Sequence, residues 1–299
     1  MAGGALQIGP GLSRRKILTT SPMDGIRLAA WDSLKPRKTV VPVGPTRLGE
    51  EFAVLACLGG TLDKARLIAA ARAVKDAGAR IIKWDPPVTP AGDDRTGKSD
   101  AKRFALLREV RALTGLATLV EVTDTREVSL VAAAADMLMV GAANMQNFSL
   151  LKELGRSAKK PVLLLRGRHA MLIEWLNSAE YVLFEGNPDV ILCEGGIRTF
   201  DAGSRAVLDL SAVPALKKVS HLPVLVDLGL AGGPDEVEKM GLAAVVAGAD
   251  GLMVGVAAEP DPAVPSRERK GLPLEAFADL VRKWTAMRSL LEGIGNDRS

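Results

Sequence analysis

The stretch HLPVLVDLGL, His221 to Leu230, decides the fold. Leu222 to Val226 show no polar alternation, so both faces of this strand must be buried, as in a parallel sheet covered by helices. Working outward, seven more apolar runs have the same character: EFAVLACL, ARIIKW, LATLVEV, ADMLMVG, KPVLLLRG, DVILCEGG and DGLMVGV. Between and after the eight lie amphipathic stretches, Leu62 to Ala77, Asp100 to Leu113, Thr125 to Ala135, Phe148 to Leu154, Met171 to Phe184, Val213 to Val219, Asp235 to Ala247 and Leu274 to Leu291. Strand and helix in strict alternation predict an α/β fold, a (β/α)8 TIM barrel over residues 51–299. Residues 1–50 do not share the rhythm and read as a short N-terminal extension. Within it KTVVPVGPTRLGEEF suggests a hairpin around Gly44 and Pro45 that caps the bottom of the barrel.

Composition narrows the function classes. The chain has 299 residues, 47% hydrophobic and 25% charged, with a formal net charge of +4. Its cations are interleaved with anions instead of gathered into a stripe, which argues against nucleic acid. No apolar run reaches the roughly 18 residues that cross a bilayer. The opening MAGGALQIGPGLSRRK places its basic residues after a weak apolar stretch, the reverse of a secretory signal, so a cytoplasmic location is expected. Cys57 and Cys193 both fall inside strand-like runs and read as reduced, buried thiols.

In such barrels the chemistry sits at the C-terminal strand ends and the loops beyond them. Those ends carry Trp84, Glu121, Asn144, Gln146, Leu165, Arg166, Arg168, His169, Glu194, Asp227 and Leu230. The carboxylates Glu121, Glu194 and Asp227 can serve as acid and base where apolar surroundings raise one of them. They can equally be held in ion pairs by Lys83, Arg166, Arg168 or Arg198. His169 is the one histidine at this end, since His221 starts its strand. Such an inventory is poor for a metal site, which wants three or four converging donors. The Pro-rich loops 85–97 and 259–271 are long for β/α connections and are expected to form the site or its lid.

The segments GAANMQNFSLL, KPVLLLRG, SAEYVLFEGN, VILCEGGIRTFD, LDLSAVPALKKVSHLPVLVD and AGADGLMVGV resemble the type I 3-deoxy-D-arabino-heptulosonate 7-phosphate (DAHP) synthases, over roughly Thr39 to Leu291. The resemblance implies a barrel that condenses phosphoenolpyruvate with an aldose phosphate, commonly as a tetramer, so a homo-oligomer is expected. In the synthases that use a metal it is held by Cys, His, Glu and Asp. Carried across, those ligand positions fall on Gly59, Leu230, Gly255 and about Ser266. The family's KPRT loop has no clear counterpart in DPPVTPAGDDRTGK, and three phosphoenolpyruvate cations fall on Ala143, Leu165 and Gly195. Arg166, Glu121, Asn144, Gln146, Asn147, Asp227, Glu194 and Arg198 match.

These losses to Gly, Ala and Leu lead to an expectation: a repurposed barrel using neither metal nor other cofactor. It would be a cyclase, isomerase or dehydratase of specialised metabolism, acting on a largely apolar, uncharged small molecule. Glu121, Glu194, Asp227 and His169 would do the chemistry; Arg166, Asn144, Gln146, Trp84, Leu165 and Leu230 would bind. A catalytically inactive pseudoenzyme is the alternative. Residual DAHP synthase activity, working through Arg166, Arg168 and Lys83, comes third and is expected to be unlikely.

Overall fold

The computed structural model describes residues 26, 28–30, 38–59, 63–84, 98–200, 206–231, 233–257 and 271–296. The loops 85–97 and 259–270, and with them Asp85 and Ser266, lie outside these residues. A two-stranded hairpin, β1 (Val41–Val43) and β2 (Thr46–Leu48), precedes the barrel. The eight apolar runs become β3 (Ala53–Gly59), β4 (Ile81–Trp84), β5 (Ala117–Glu121), β6 (Met137–Val140), β7 (Val162–Leu165), β8 (Val190–Glu194), β9 (Val224–Asp227) and β10 (Gly251–Ala257). All are parallel, and β10 pairs with β3 to close the ring.

The helices follow the expected segments. They are α1 (Lys64–Asp76), α2 (Lys98–Thr114), α3 (Val128–Ala134), α4 (Phe148–Glu153), α5 (Leu172–Phe184), α6 (Ala212–Val219), α7 (Pro234–Val246) and α8 (Leu274–Asn296). Their starts are chemically marked. Asp63 caps α1 by accepting the Arg66 amide at 2.9 Å, Asn147 caps α4 through the Leu150 amide, and Pro234 stands in the first turn of α7. Most boundaries shift by up to three residues from the reading of the sequence, as where Thr125–Glu127 forms a 3-10 turn ahead of α3, and two differences are larger. Helix α4 continues as a π-helical turn over Leu154–Ala158, stopped at Lys159 in the left-handed region, and α8 runs past Leu291 to Asn296.

Period-two alternation divides the strands between two cores. Outward residues such as Val54, Ile82, Val120, Leu138, Leu164, Leu192, Val226 and Val254 pack under Leu67, Val74, Leu107, Trp175, Leu216, Phe277 and Trp284 of the helices. Inward residues Leu55, Ile81, Leu119, Met137, Leu163, Ile191, Leu225 and Met253 fill the barrel, and Val41, Val43 and Leu48 of the hairpin join them from below. The hairpin fits closely there: Gly44 has φ +57, and a Cβ on it would stand 3.0 Å from that of Ala117.

The bottom is also tied electrostatically. Asp250, 2% exposed, pairs with Lys38 and Lys217 and accepts the Val224 amide at 2.7 Å, joining the chain before β1 to α6 and β9. Burial brings Lys217 down to about 8, against the pull of Asp250. His221 bonds Thr39 Oγ1 at 2.7 Å and the Leu28 carbonyl at 2.6 Å, so it is a structural histidine at the end away from the chemistry. Asp250→Ala leaves two lysines around a vacated carboxylate position. It is expected to lower stability by about 3–5 kcal/mol in urea unfolding, as removal of one partner from a buried ionic cluster does.

Candidate active site

The alternation that fills the barrel also decides what faces its mouth. Counting upward from the inner core, the last inward positions are Cys57, Lys83, Glu121, Leu165, Cys193 and Asp227. Register keeps neighbours level: Cys57 pairs with Lys83 and with Gly255, and Lys83 with Leu119. Lys83 Nζ stands 3.9 Å from Glu121 Oε2, and the Glu121 carboxylate lies over Gly141, occupying the space a Cβ there would need. Asp227 feels the charges of Lys83 and Arg168. Burial nonetheless pushes its carboxyl up to about 6, against the Gly229 amide bond and those cations. Burial and the Asp227 charge push the Cys57 thiol up to about 12, so it is neutral at pH 7.

Arg166 and Glu194 have the opposite parity and stand in the barrel wall. Arg166 Nη1 bonds Glu194 Oε2 at 3.0 Å and Asp209 Oδ2 at 2.9 Å, while Nε donates to the Ala170 carbonyl. The guanidinium also lies 5.9 Å from the ring centroid of Trp175. Glu194 Oε1 accepts the amides of Gly196 at 2.7 Å and Asp209 at 3.4 Å. Burial raises Glu194, and Arg166 opposes that rise. Both side chains therefore brace the loop after β8, with Arg166 Nε and Nη1 and both Glu194 oxygens engaged by protein.

The remaining candidates divide between two places. His169, Gln146 and Arg168 line a cleft of about 440 Å³ above β6 and β7, together with Ala142, Ala143, Met145 and Glu174. Asn144 sits in the turn below and accepts a bond from Asn147 Nδ2 at 3.3 Å. Trp84 is buried on the outer side of β4, and its indole N–H has no acceptor among the described residues. Leu165 packs against Gly195 and Leu230 against Gly196.

The expectation of a site suited to a largely apolar, uncharged ligand thus needs correcting. Leucines occupy the space next to the glycines, and the inward layer at the mouth bears Lys83, Glu121 and Asp227. The sequence reading had treated Lys83 chiefly as a rim counter-ion; its spacing of two residues from Ile81, which puts both on the inward face, was the available signal.

The metal implied by the resemblance was tested against the same geometry. Gly59, Leu230 and Gly255 offer no donor side chain. Among the described residues no group of three or more His, Cys, Asp or Glu could hold an ion. The described residues do not fit that group.

The wall pair gives a direct test. Arg166 is 6% exposed and Glu194 fully buried, so Arg166→Leu strands an anion in the wall. A loss of about 3–5 kcal/mol is expected in chemical unfolding. Adding Glu194→Gln, which keeps an acceptor for the Gly196 amide, should recover much of it; equal instability of single and double variants would contradict this account.

Comparison with known proteins overturns the functional expectations. The DAHP synthetase I family matches residues 93–292. The chain is 36% identical over 265 residues to the phospho-2-dehydro-3-deoxyheptonate aldolase of Thermotoga maritima, covering 87% of this chain and 76% of that protein. A 2-dehydro-3-deoxyphosphooctonate aldolase of Caulobacter vibrioides is 26% identical over 281 residues, covering 87% of this chain and 96% of its own length. A truncated form of 3-deoxy-D-arabino-heptulosonate 7-phosphate synthase from Thermotoga maritima superposes with a TM-score of 0.77 at 34% identity, covering 88% of this chain and 97% of that one. These relatives count against the repurposed, metal-independent cyclase of specialised metabolism, against the pseudoenzyme, and against the view that synthase activity is unlikely. The physical error lay in reading substitutions to Gly, Ala and Leu as an emptied site, when the inward layer beside them had kept its charge. With its barrel, its sequence and its matched relatives in agreement, the chain belongs to the DAHP synthetase I family.

Proposed function

We propose that this barrel is a synthase of the DAHP type, joining phosphoenolpyruvate to a four-carbon aldose phosphate to give a phosphorylated 2-oxo-3-deoxy sugar acid. The observation that carries the reading is the 36% identity, sustained over 87% of the chain, to an enzyme named for that product. The charged mouth supports it. In this reading Asp227 takes up or releases a proton, and a carboxyl at about 6 changes state near neutral pH. Glu121 faces it across the barrel, and Lys83 supplies positive charge beside both.

Arg168 and His169, exposed in the cleft above β7, offer a phosphate a cation and a donor, with Gln146 and Asn144 on the β6 side. Arg166 and Glu194 act in this reading by holding the strand ends in place. Leu165 and Leu230 shape the walls, while Trp84 packs behind β4. Small-molecule substrates, a cytoplasmic location and self-association complete the picture; no described helix is long and apolar enough to cross a membrane.

The test is release of inorganic phosphate by the purified protein from phosphoenolpyruvate and erythrose 4-phosphate, with and without added divalent metal. Turnover dependent on both substrates is expected, and none under either condition overturns the proposal. If Asp227 is the base, the rate rises through about pH 6, and Asp227→Asn loses that limb along with about 10²–10⁴-fold in kcat. Stability should move the other way. Folding raises the Asp227 carboxyl from 3.8 to about 6, so the folded state holds its proton more tightly and stability falls as pH rises through that window. Asp227→Asn escapes the penalty. It should melt above wild type at pH 8, by at most about 3 kcal/mol, with the gap closing towards pH 4.

A further inference from the structure

The cleft above β6 and β7 contains a bond between its two sides. Met145, buried in the turn after β6, lines the cleft, and the Gly167 amide donates to its sulfur at 3.0 Å from the loop after β7. Gly167 is the joint of that loop. On one side of it stands Arg166, locked in the barrel wall by Glu194 and Asp209, and on the other Arg168 and His169, which line the cleft. A glycine has no side chain to restrict its φ and ψ, so its neighbours must hold it. The Ala170 amide holds the Gly167 carbonyl at 2.9 Å, and the Arg198 amide holds the Arg168 carbonyl at 2.8 Å. For the Gly167 amide the holder is Met145 Sδ, and a Cβ on Gly167 would stand 3.4 Å from that same sulfur.

We propose that Met145 is a positioning residue: by accepting the Gly167 amide, its sulfur sets where Arg168 stands in the cleft and so strengthens the hold of that guanidinium on a phosphate. The inference rests on the reading that this cleft takes a substrate phosphate, and it adds the residue that orients the cation. A thioether is a weak acceptor, yet among the described residues it is the acceptor this half-buried amide has. Without it the peptide joining Arg166 to Gly167 is freer to turn, and Arg168 has to be ordered at the moment an anion binds. Ordering on association weakens affinity, whereas a group fixed beforehand loses no such freedom.

The experiment is calorimetric titration of the full-length protein with inorganic phosphate as the probe, on wild type, Met145→Leu, Met145→Gln and Arg168→Ala, with a thermal melt of each. Leucine keeps the bulk and lacks the acceptor, and swaps of this kind are well tolerated in packed sites. Met145→Leu should keep a single cooperative melt and bind phosphate about three- to tenfold more weakly, the effect of one modest hydrogen bond. Glutamine offers Gly167 an amide oxygen, and Met145→Gln should bind within about twofold of wild type. Arg168→Ala should lose at least as much as Met145→Leu, because the sulfur acts through that guanidinium.

Wild-type affinity in Met145→Leu overturns the inference. So does an equal loss in Met145→Gln, which would mark a packing effect, a smaller loss in Arg168→Ala than in Met145→Leu, or a wild type that does not bind phosphate. The expected ranking in a protein that does not condense phosphoenolpyruvate with erythrose 4-phosphate leaves the inference standing and removes the synthase. Condensation by the wild type together with undiminished phosphate affinity in Met145→Leu does the reverse.

Discussion

Closing eight parallel strands into a ring sends every second side chain into a space that solvent does not share. That constraint orders the rest of the molecule. Leu55, Ile81, Leu119, Leu163, Ile191, Leu225 and Met253 must be apolar because they meet one another, and the next inward position on each strand is the first that can afford a charge. Lys83, Glu121 and Asp227 therefore each follow the last apolar inward residue of their strand. Their chemistry comes from position as much as from type. Asp227 is held up to about 6 by the burial that closure imposes.

The same geometry explains what could be read from the sequence and what could not. Parallel strands covered on both sides must be apolar throughout, so the eight runs, from EFAVLACL to DGLMVGV, stood out and each became a strand. Helix α4 starts where it was read, after its cap Asn147, whereas α1 starts two residues later than read, after Asp63. The π-helical turn after α4 was not legible, because nothing in LGRSA announces it.

The site was harder for the reason that made the fold easy. A run without alternation does not say which of its residues point inward. Glu194 and Asp227 look equivalent at the ends of β8 and β9, yet one is locked in the wall by Arg166 and the other looks into the barrel. Lys83 was visible throughout, but only the register with Cys57 and Leu119 places it in the inward layer. The apolar replacements at Leu165 and Leu230 were read correctly as residues and wrongly as space, since each side chain fills what its glycine neighbour leaves.

The hairpin beneath the barrel has a consequence for traffic. With Val41, Val43 and Leu48 packed without exposure against the lowest inward residues, the interior is a blind well instead of a tube. Among the described residues the hairpin closes the lower end, which leaves the rim of the strand ends as the way to Asp227 and Lys83. Under the proposed function, substrates and products would share the way in at the strand ends, so the order in which they come and go becomes a property of the architecture as well as of affinity.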